Sequence, residues 1–133
     1  MVFVDSSVFI NFFNSSKSKE SKLLSSLLIE GKDIAINGLV YQEVLQGIKS
    51  DKEFKNIKLI LDDFSFISTS ESIFLQSANL YRQLKKKGIT VRKSIDVIIA
   101  QLCINNSLPL LQADKDFVNI SRHSKLKLYE FPL

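Results

Sequence analysis

The sequence predicts an α/β domain in three layers, a central parallel sheet flanked by helices. Two observations carry that prediction. Short runs of apolar and β-branched residues recur along the chain, as strands buried on both faces require. Between them stand longer stretches with apolar residues three and four apart, the period of amphipathic helices. Strands alternating with helices are joined by crossovers, and crossovers give parallel pairing. The 133 residues suffice for one core. With 4 Gly and 2 Pro there is little material for linkers, so residues 1–133 read as a single domain.

Val2-Phe3-Val4 suits a first buried strand, and Ser7 to Phe13 a helical turn after it. Leu23, Leu24, Leu27 and Leu28 place a helix over about 18–30, stopped by Gly31. Ile34-Ala35-Ile36 is a second strand. Asn37 is an N-cap for a helix over about 38–48 with Leu39, Val40, Val44, Leu45 and Ile48 on one face. A helix over about 51–63 carries Phe54, Ile57, Ile60 and Leu61, and should form a hairpin with its predecessor. Phe66-Ile67 offers a third strand. Thr69 or Ser70 opens a long helix through Leu75, Ala78, Leu80, Tyr81 and Leu84, closing at Gly88. Ser94 to Asn105 is the most apolar helix. Leu108 to Leu111 is a strand, with Pro109 near its start. Leu126 to Phe131 alternates apolar and polar, as an edge strand does.

Composition excludes several classes of function. One cysteine, Cys103, excludes an internal disulfide framework and a multi-cysteine zinc site. One histidine, His123, excludes any mechanism that needs two imidazoles. No apolar run approaches the roughly 20 residues of a membrane span. Asp5 interrupts the apolar start, which has no basic leader segment. A soluble, reduced, cytoplasmic protein with no membrane role is the expectation. The formal net charge of +4 is unevenly placed. Between Glu71 and Asp96 stand Arg82, Lys85, Lys86, Lys87, Arg92 and Lys93, with no acid. Such a block attracts a polyanion, although lysines before Gly88 also suit a helix C-terminus.

Four acidic places have apolar neighbours: Asp5, Glu43, Asp96, and the pair Asp114 and Asp116. Asp5 and Asp114 each follow a strand, so both fall at the carboxyl edge of the sheet, where α/β folds bind ligands. Glu43 and Asp96 lie near the starts of helices. Each has an ordinary explanation: Asp5 and Asp114 as N-caps or turn residues, Asp96 as a first-turn acid, Glu43 pointing to solvent. Convergence of all four on one edge is harder to explain that way. Gathered carboxylates repel, and a divalent cation relieves them. All-oxygen ligation selects Mg²⁺ or Mn²⁺, the usual apparatus of phosphoryl chemistry. A basic strip beside such a site fits a nucleic-acid phosphodiester.

VDSSVFI with Asp5, YQEVLQGI with Glu43, SIDVIIAQLC with Asp96 and LLQADKDF with Asp114 and Asp116 resemble, in order and spacing, the PIN domain. The length and near-complete coverage resemble the VapC-type toxins of toxin–antitoxin pairs. The resemblance implies a Rossmann-like, Mg²⁺- or Mn²⁺-dependent endoribonuclease with a small cognate antitoxin and often a homodimer. Carried over by motif, Asp5, Glu43, Asp96, Asp114 and Asp116 are the site acids. Asp5, Asp96 and one or both of Asp114 and Asp116 hold metal, and Glu43 serves the attacking water. Ser6 or Ser7 matches a supporting hydroxyl. The last motif departs from the pattern: Gln112 stands where Thr is common, and Asp114 where Asn often stands. Lys85, Lys86, Lys87, Arg92 and Lys93 are candidates to bind the RNA backbone. Phe54, Ile57, Ile60 and Leu61 suggest a partner surface, with ordinary core as the alternative.

Two other classes compete. A phosphoacceptor receiver domain also clusters acids, but it needs adjacent acids after the first strand, where Asp5 stands before two serines. A PIN-like module that binds RNA or a partner without cutting would share the fold and lack the chemistry.

Overall fold

The computed structural model describes residues 1–130. The elements in chain order are β1 (Val2–Val4), α1 (Ser6–Phe13), α2 (Lys19–Ile29), β2 (Ile34–Ile36), α3 (Gly38–Gln46), α4 (Asp51–Asp62), β3 (Ser65–Phe66), α5 (Glu71–Lys86), α6 (Ser94–Asn105), β4 (Leu110–Leu111) and α7 (Lys115–Arg122). The strands form one parallel sheet in the order β3-β2-β1-β4. Every residue of β1, β2 and β4 is buried, so both faces of the sheet centre are covered.

Topology accounts for the layers. Right-handed crossovers from β1 to β2 and from β2 to β3 move in one direction and put α1 to α4 on one face. The connection from β3 to β4 runs back across the sheet and puts α5 and α6 on the other. The packing follows this division: α1 lies on α2 and α3, and α3 on α4, while α5 lies on α6 and α6 on α7. The order in which strands are laid down reverses between β1 and β4, which are parallel neighbours, with Val4 opposite Leu111. That junction is the topological switch point, where open α/β sheets place ligand sites.

Local signals act as the sequence predicts in several places. Asn37, fully buried, caps α3 by accepting a hydrogen bond from the Val40 amide at 3.1 Å. Its Nδ2 donates to Thr69 Oγ1 at 3.1 Å and ties the end of β2 to the segment entering α5. Gly88 has φ +80°, and the Ile89 amide donates to the Leu84 carbonyl, a left-handed closure that ends α5. Gly31, at φ +66°, ends α2 in the same manner.

Other expectations need correction. The third strand is Ser65–Phe66, one residue earlier than expected, although the Ile67 amide still donates to the Ile36 carbonyl at 2.8 Å. The strand expected over Leu108–Leu111 is only Leu110–Leu111. The last expected strand reduces to one parallel bridge from Leu128 to Leu110, because β4 is too short to carry a longer ladder. That bridge lies at the sheet edge, as alternation suggested; Phe131 lies outside the described residues. Helix α7, absent from the sequence reading, fills the chain after Asp114. Its core contribution is only Phe117 and Ile120, too little to register against the surrounding polar residues.

Candidate active site

Four of the acids stand at strand and helix ends at the switch point. Asp5 is the residue after β1, and its amide donates to the Leu111 carbonyl of β4 at 3.0 Å. Its side chain caps α1: Oδ2 accepts from the Ser7 amide at 3.2 Å and from Ser7 Oγ at 2.6 Å. Asp114 caps α7, its Oδ1 accepting from the Asp116 amide at 2.9 Å. Asp96 lies in the first turn of α6 and Asp116 in the first turn of α7. The ordinary capping roles are therefore real, and they coexist with clustering. One carboxylate oxygen from each of Asp96, Asp114 and Asp116 lies within 4.8 Å of the other two.

Electrostatics ties Asp5 and Glu43 to this cluster. Burial pushes the Asp96 carboxyl up to about 7, with the negative charges of Asp5 and Asp114 adding to the effect. Burial also raises Asp5, against the hydrogen bonds from Ser7. Glu43, half-buried on α3, is raised by burial and then by Asp5, while a hydrogen bond from Ser6 pulls it down. The cluster is short of positive charge as it stands. Its donors are all carboxylate oxygens, which suits a hard divalent cation. Asp96, Asp114 and Asp116 would hold it, with Asp5 alongside.

One cation of the basic strip already reaches the acids. Arg92 donates from Nε to Asp116 Oδ2 at 3.0 Å and from its terminal nitrogen to Asp114 Oδ1 at 3.1 Å. Its own backbone amide points at Asp116 Oδ2, 3.4 Å away. Buried Val91 stands next to Arg92 in the segment between α5 and α6. The partners are 22 and 24 residues apart in sequence, so no local pattern announces the pair. Lys93, next in the chain, contributes its positive charge to Asp5, Glu43 and Asp96.

The basic strip thus divides by place. Arg92 and Lys93 belong to the acidic site. Lys85 and Lys86 are exposed on the last turn of α5. Lys87 donates to the His123 carbonyl at 3.1 Å, tying the end of α5 to the end of α7. The stripe on α4 is divided as well: Ile57 and Leu61 are buried, whereas Phe54 and Ile60 are 37% and 41% exposed. Among the described residues no helix is long and apolar enough to cross a membrane.

Comparison with known proteins places this geometry in a context. The family model for the PIN domain matches residues 2–123. The chain is similar to "VapC ribonuclease Mb1587" of Mycobacterium bovis, 26% identical over 133 residues, covering 98% of this chain and 99% of that protein. Among solved structures it is similar to VapBC2 from Rickettsia felis bound to a DNA fragment from its promoter, with TM-score 0.73 and 18% identity. That match covers 99% of this chain and all of the other. It also resembles a toxin–antitoxin complex from Klebsiella pneumoniae, with TM-score 0.68, 23% identity, and coverage of 88% and 90% of the two chains.

Proposed function

The chain belongs to the PIN-domain family, and from that premise we propose that it is an endoribonuclease that hydrolyses RNA phosphodiester bonds with Mg²⁺ or Mn²⁺. The observation that carries the reading is the meeting of Asp96, Asp114 and Asp116 at the switch point, with Asp5 and Glu43 coupled to them. The ribonuclease name of the Mycobacterium bovis relative supports the substrate class.

Asp5, Asp96 and one or both of Asp114 and Asp116 would hold the cation, which would supply Lewis-acid activation of water and offset charge developing on the phosphate oxygens. Glu43 is half-buried with its carboxyl raised, so it is suited to accept the proton of the attacking water. Ser7 holds Asp5 through a 2.6 Å hydrogen bond, and Ser6 stands beside Glu43 and favours its charged form. Lys93 lies where a phosphate would approach the acids, and Lys85 and Lys86 bind the strand farther out.

One observation favours the rival reading of a module that binds without cutting: the Arg92 guanidinium sits on two of the metal-holding carboxylates. Cleavage of a single-stranded RNA separates the two. The nuclease cuts with Mg²⁺ or Mn²⁺, stops in excess chelator, and loses activity in Asp96→Asn. Cleavage undiminished by chelator, or full activity in that variant, overturns the proposal.

A second copy of the chain and a small antitoxin are the proposed partners. The toxin–antitoxin complex from Klebsiella pneumoniae, built on the same fold, supports the latter. An antitoxin Arg seated on the acids, as Arg92 is, would inhibit by occupying the same carboxylates.

A further inference from the structure

Helices α5 and α6 leave a groove of about 380 Å³ between them. On α5, Phe74, Ser77, Ala78 and Tyr81 recur at three- and four-residue spacing along its wall, and Ser94 and Val97 of α6 stand opposite. Two aromatic residues one heptad apart, with small residues between, make a slot rather than a ridge. Its lining is almost wholly apolar, yet Ser77 contributes a buried hydroxyl that has no hydrogen-bond partner. A buried unpaired hydroxyl is destabilising unless something supplies a partner. Phe74 is 53% exposed, so its ring is not consumed by the core.

Two features identify the occupant. First, Tyr81 and Arg82 also line the adjoining depression with Lys85 and Lys86, so the groove opens onto the densest positive charge of the chain. Second, Ser94 and Val97 flank Asp96 on α6, so the groove begins within a helical turn of the acidic cluster. A ligand with a flat apolar face, hydrogen-bonding edges and flanking negative charge meets all these conditions. A nucleotide of single-stranded RNA is such a ligand: bases stack on aromatic rings while cations follow the phosphates.

We propose that the α5–α6 groove is a base-binding subsite, in which an unpaired nucleobase next to the scissile phosphate stacks on the exposed ring of Phe74. Arg82, Lys85 and Lys86 hold the adjoining phosphates. Ser77 offers its hydroxyl to the edge of the base. This inference rests on the ribonuclease reading and adds a determinant of where the RNA is cut.

The test uses the full chain in excess chelator, so that RNA binds without being cut, and a labelled single-stranded RNA of about ten nucleotides. Phe74→Ala should weaken binding about tenfold, the loss of one base–aromatic stack. The slope of affinity against salt should not change, because no phosphate contact is lost. Arg82→Gln should instead flatten that slope by about 0.7. The chain has no tryptophan, so Phe74→Trp adds a sole reporter. Its emission should fall on adding the RNA and should not fall with an RNA made abasic at the docking position.

Affinity of Phe74→Ala within about twofold of wild type, with no quenching of the Phe74→Trp reporter, overturns the subsite. So does reporter emission that follows protein concentration and not RNA, which would assign the groove to a second copy of the chain. Failure of the wild type to bind or cut any RNA overturns the ribonuclease reading instead. Intact binding and cutting with an indifferent Phe74 overturns only the subsite.

Discussion

Asp96 is nearly excluded from water among carboxylates of the same sign, and its carboxyl is raised to about 7. The sign of the consequence follows from proton counts. Between pH 4 and 7 the folded chain holds a proton at Asp96 that the unfolded chain, with its carboxyl near 3.8, has released. Metal-free stability from this group is full below the unfolded value and is lost as pH rises through about 7. The loss is on the order of 2–4 kcal/mol. Asp5 and Glu43, also raised, act in the same direction. Urea melts in chelator from pH 5 to 8 should show wild type losing stability, and Asp96→Asn following a flatter profile and equalling or exceeding it at pH 8. Parallel profiles would show that Asp96 is only a helix-start residue. Arg92 makes the opposite case, a cation already on Asp114 and Asp116. Arg92→Gln should lower the melting temperature in chelator and tighten Mg²⁺ binding, since the ion no longer displaces a guanidinium. If calorimetry finds Mg²⁺ affinity unchanged or weakened, Arg92 supports the site and does not compete for it.

At the scale of elements, short strands place the chemistry and helix caps aim it. Asp5 and Asp114 each begin a helix and are proposed site acids, so the same hydrogen bonds that start α1 and α7 fix their carboxylates. Asn37 is an uncharged counterpart at the end of β2: it caps α3 and holds Thr69. Asn37→Ala removes the cap and leaves the buried Val40 amide and the half-buried Thr69 hydroxyl with fewer partners, at a cost of about 2 kcal/mol. A denaturation midpoint that does not move would mean another group supplies the cap. These elements also show what the sequence made legible. Strands β1 and β2 and the caps at Asp5, Asn37 and Asp114 could be read because each signal is local, a few residues of apolar run or one polar residue before a helix. Helix α7 could not, because its apolar stripe is only two residues wide. The strand expected to end at Phe131 could not be judged locally either. Its pairing depends on the length of β4, set elsewhere in the chain. The acids were legible one by one from their apolar neighbours. The Arg92 fork and the α5–α6 groove were not, since each exists only once distant segments pack.

Across the whole molecule, the reversal of strand order between β1 and β4 organises the function proposed for it. Both connecting layers end there, and so do the acids, Lys93 and the mouth of the groove beside α6. The proposed antitoxin should engage the same place. Its affinity should fall as Mg²⁺ rises, because a guanidinium and the ion need the same oxygens, and the competition should vanish in Asp96→Asn. Affinity independent of Mg²⁺ would place inhibition elsewhere on the surface. The central claim is that the switch-point carboxylates form a divalent-cation site, and Mn²⁺ titration by calorimetry tests it most directly. At neutral pH, wild type should bind Mn²⁺ with release of protons, the Asp96 carboxyl losing its own as the ion enters. Asp96→Asn should bind far more weakly and release few protons. Mn²⁺ binding of equal strength in the two proteins would contradict the account.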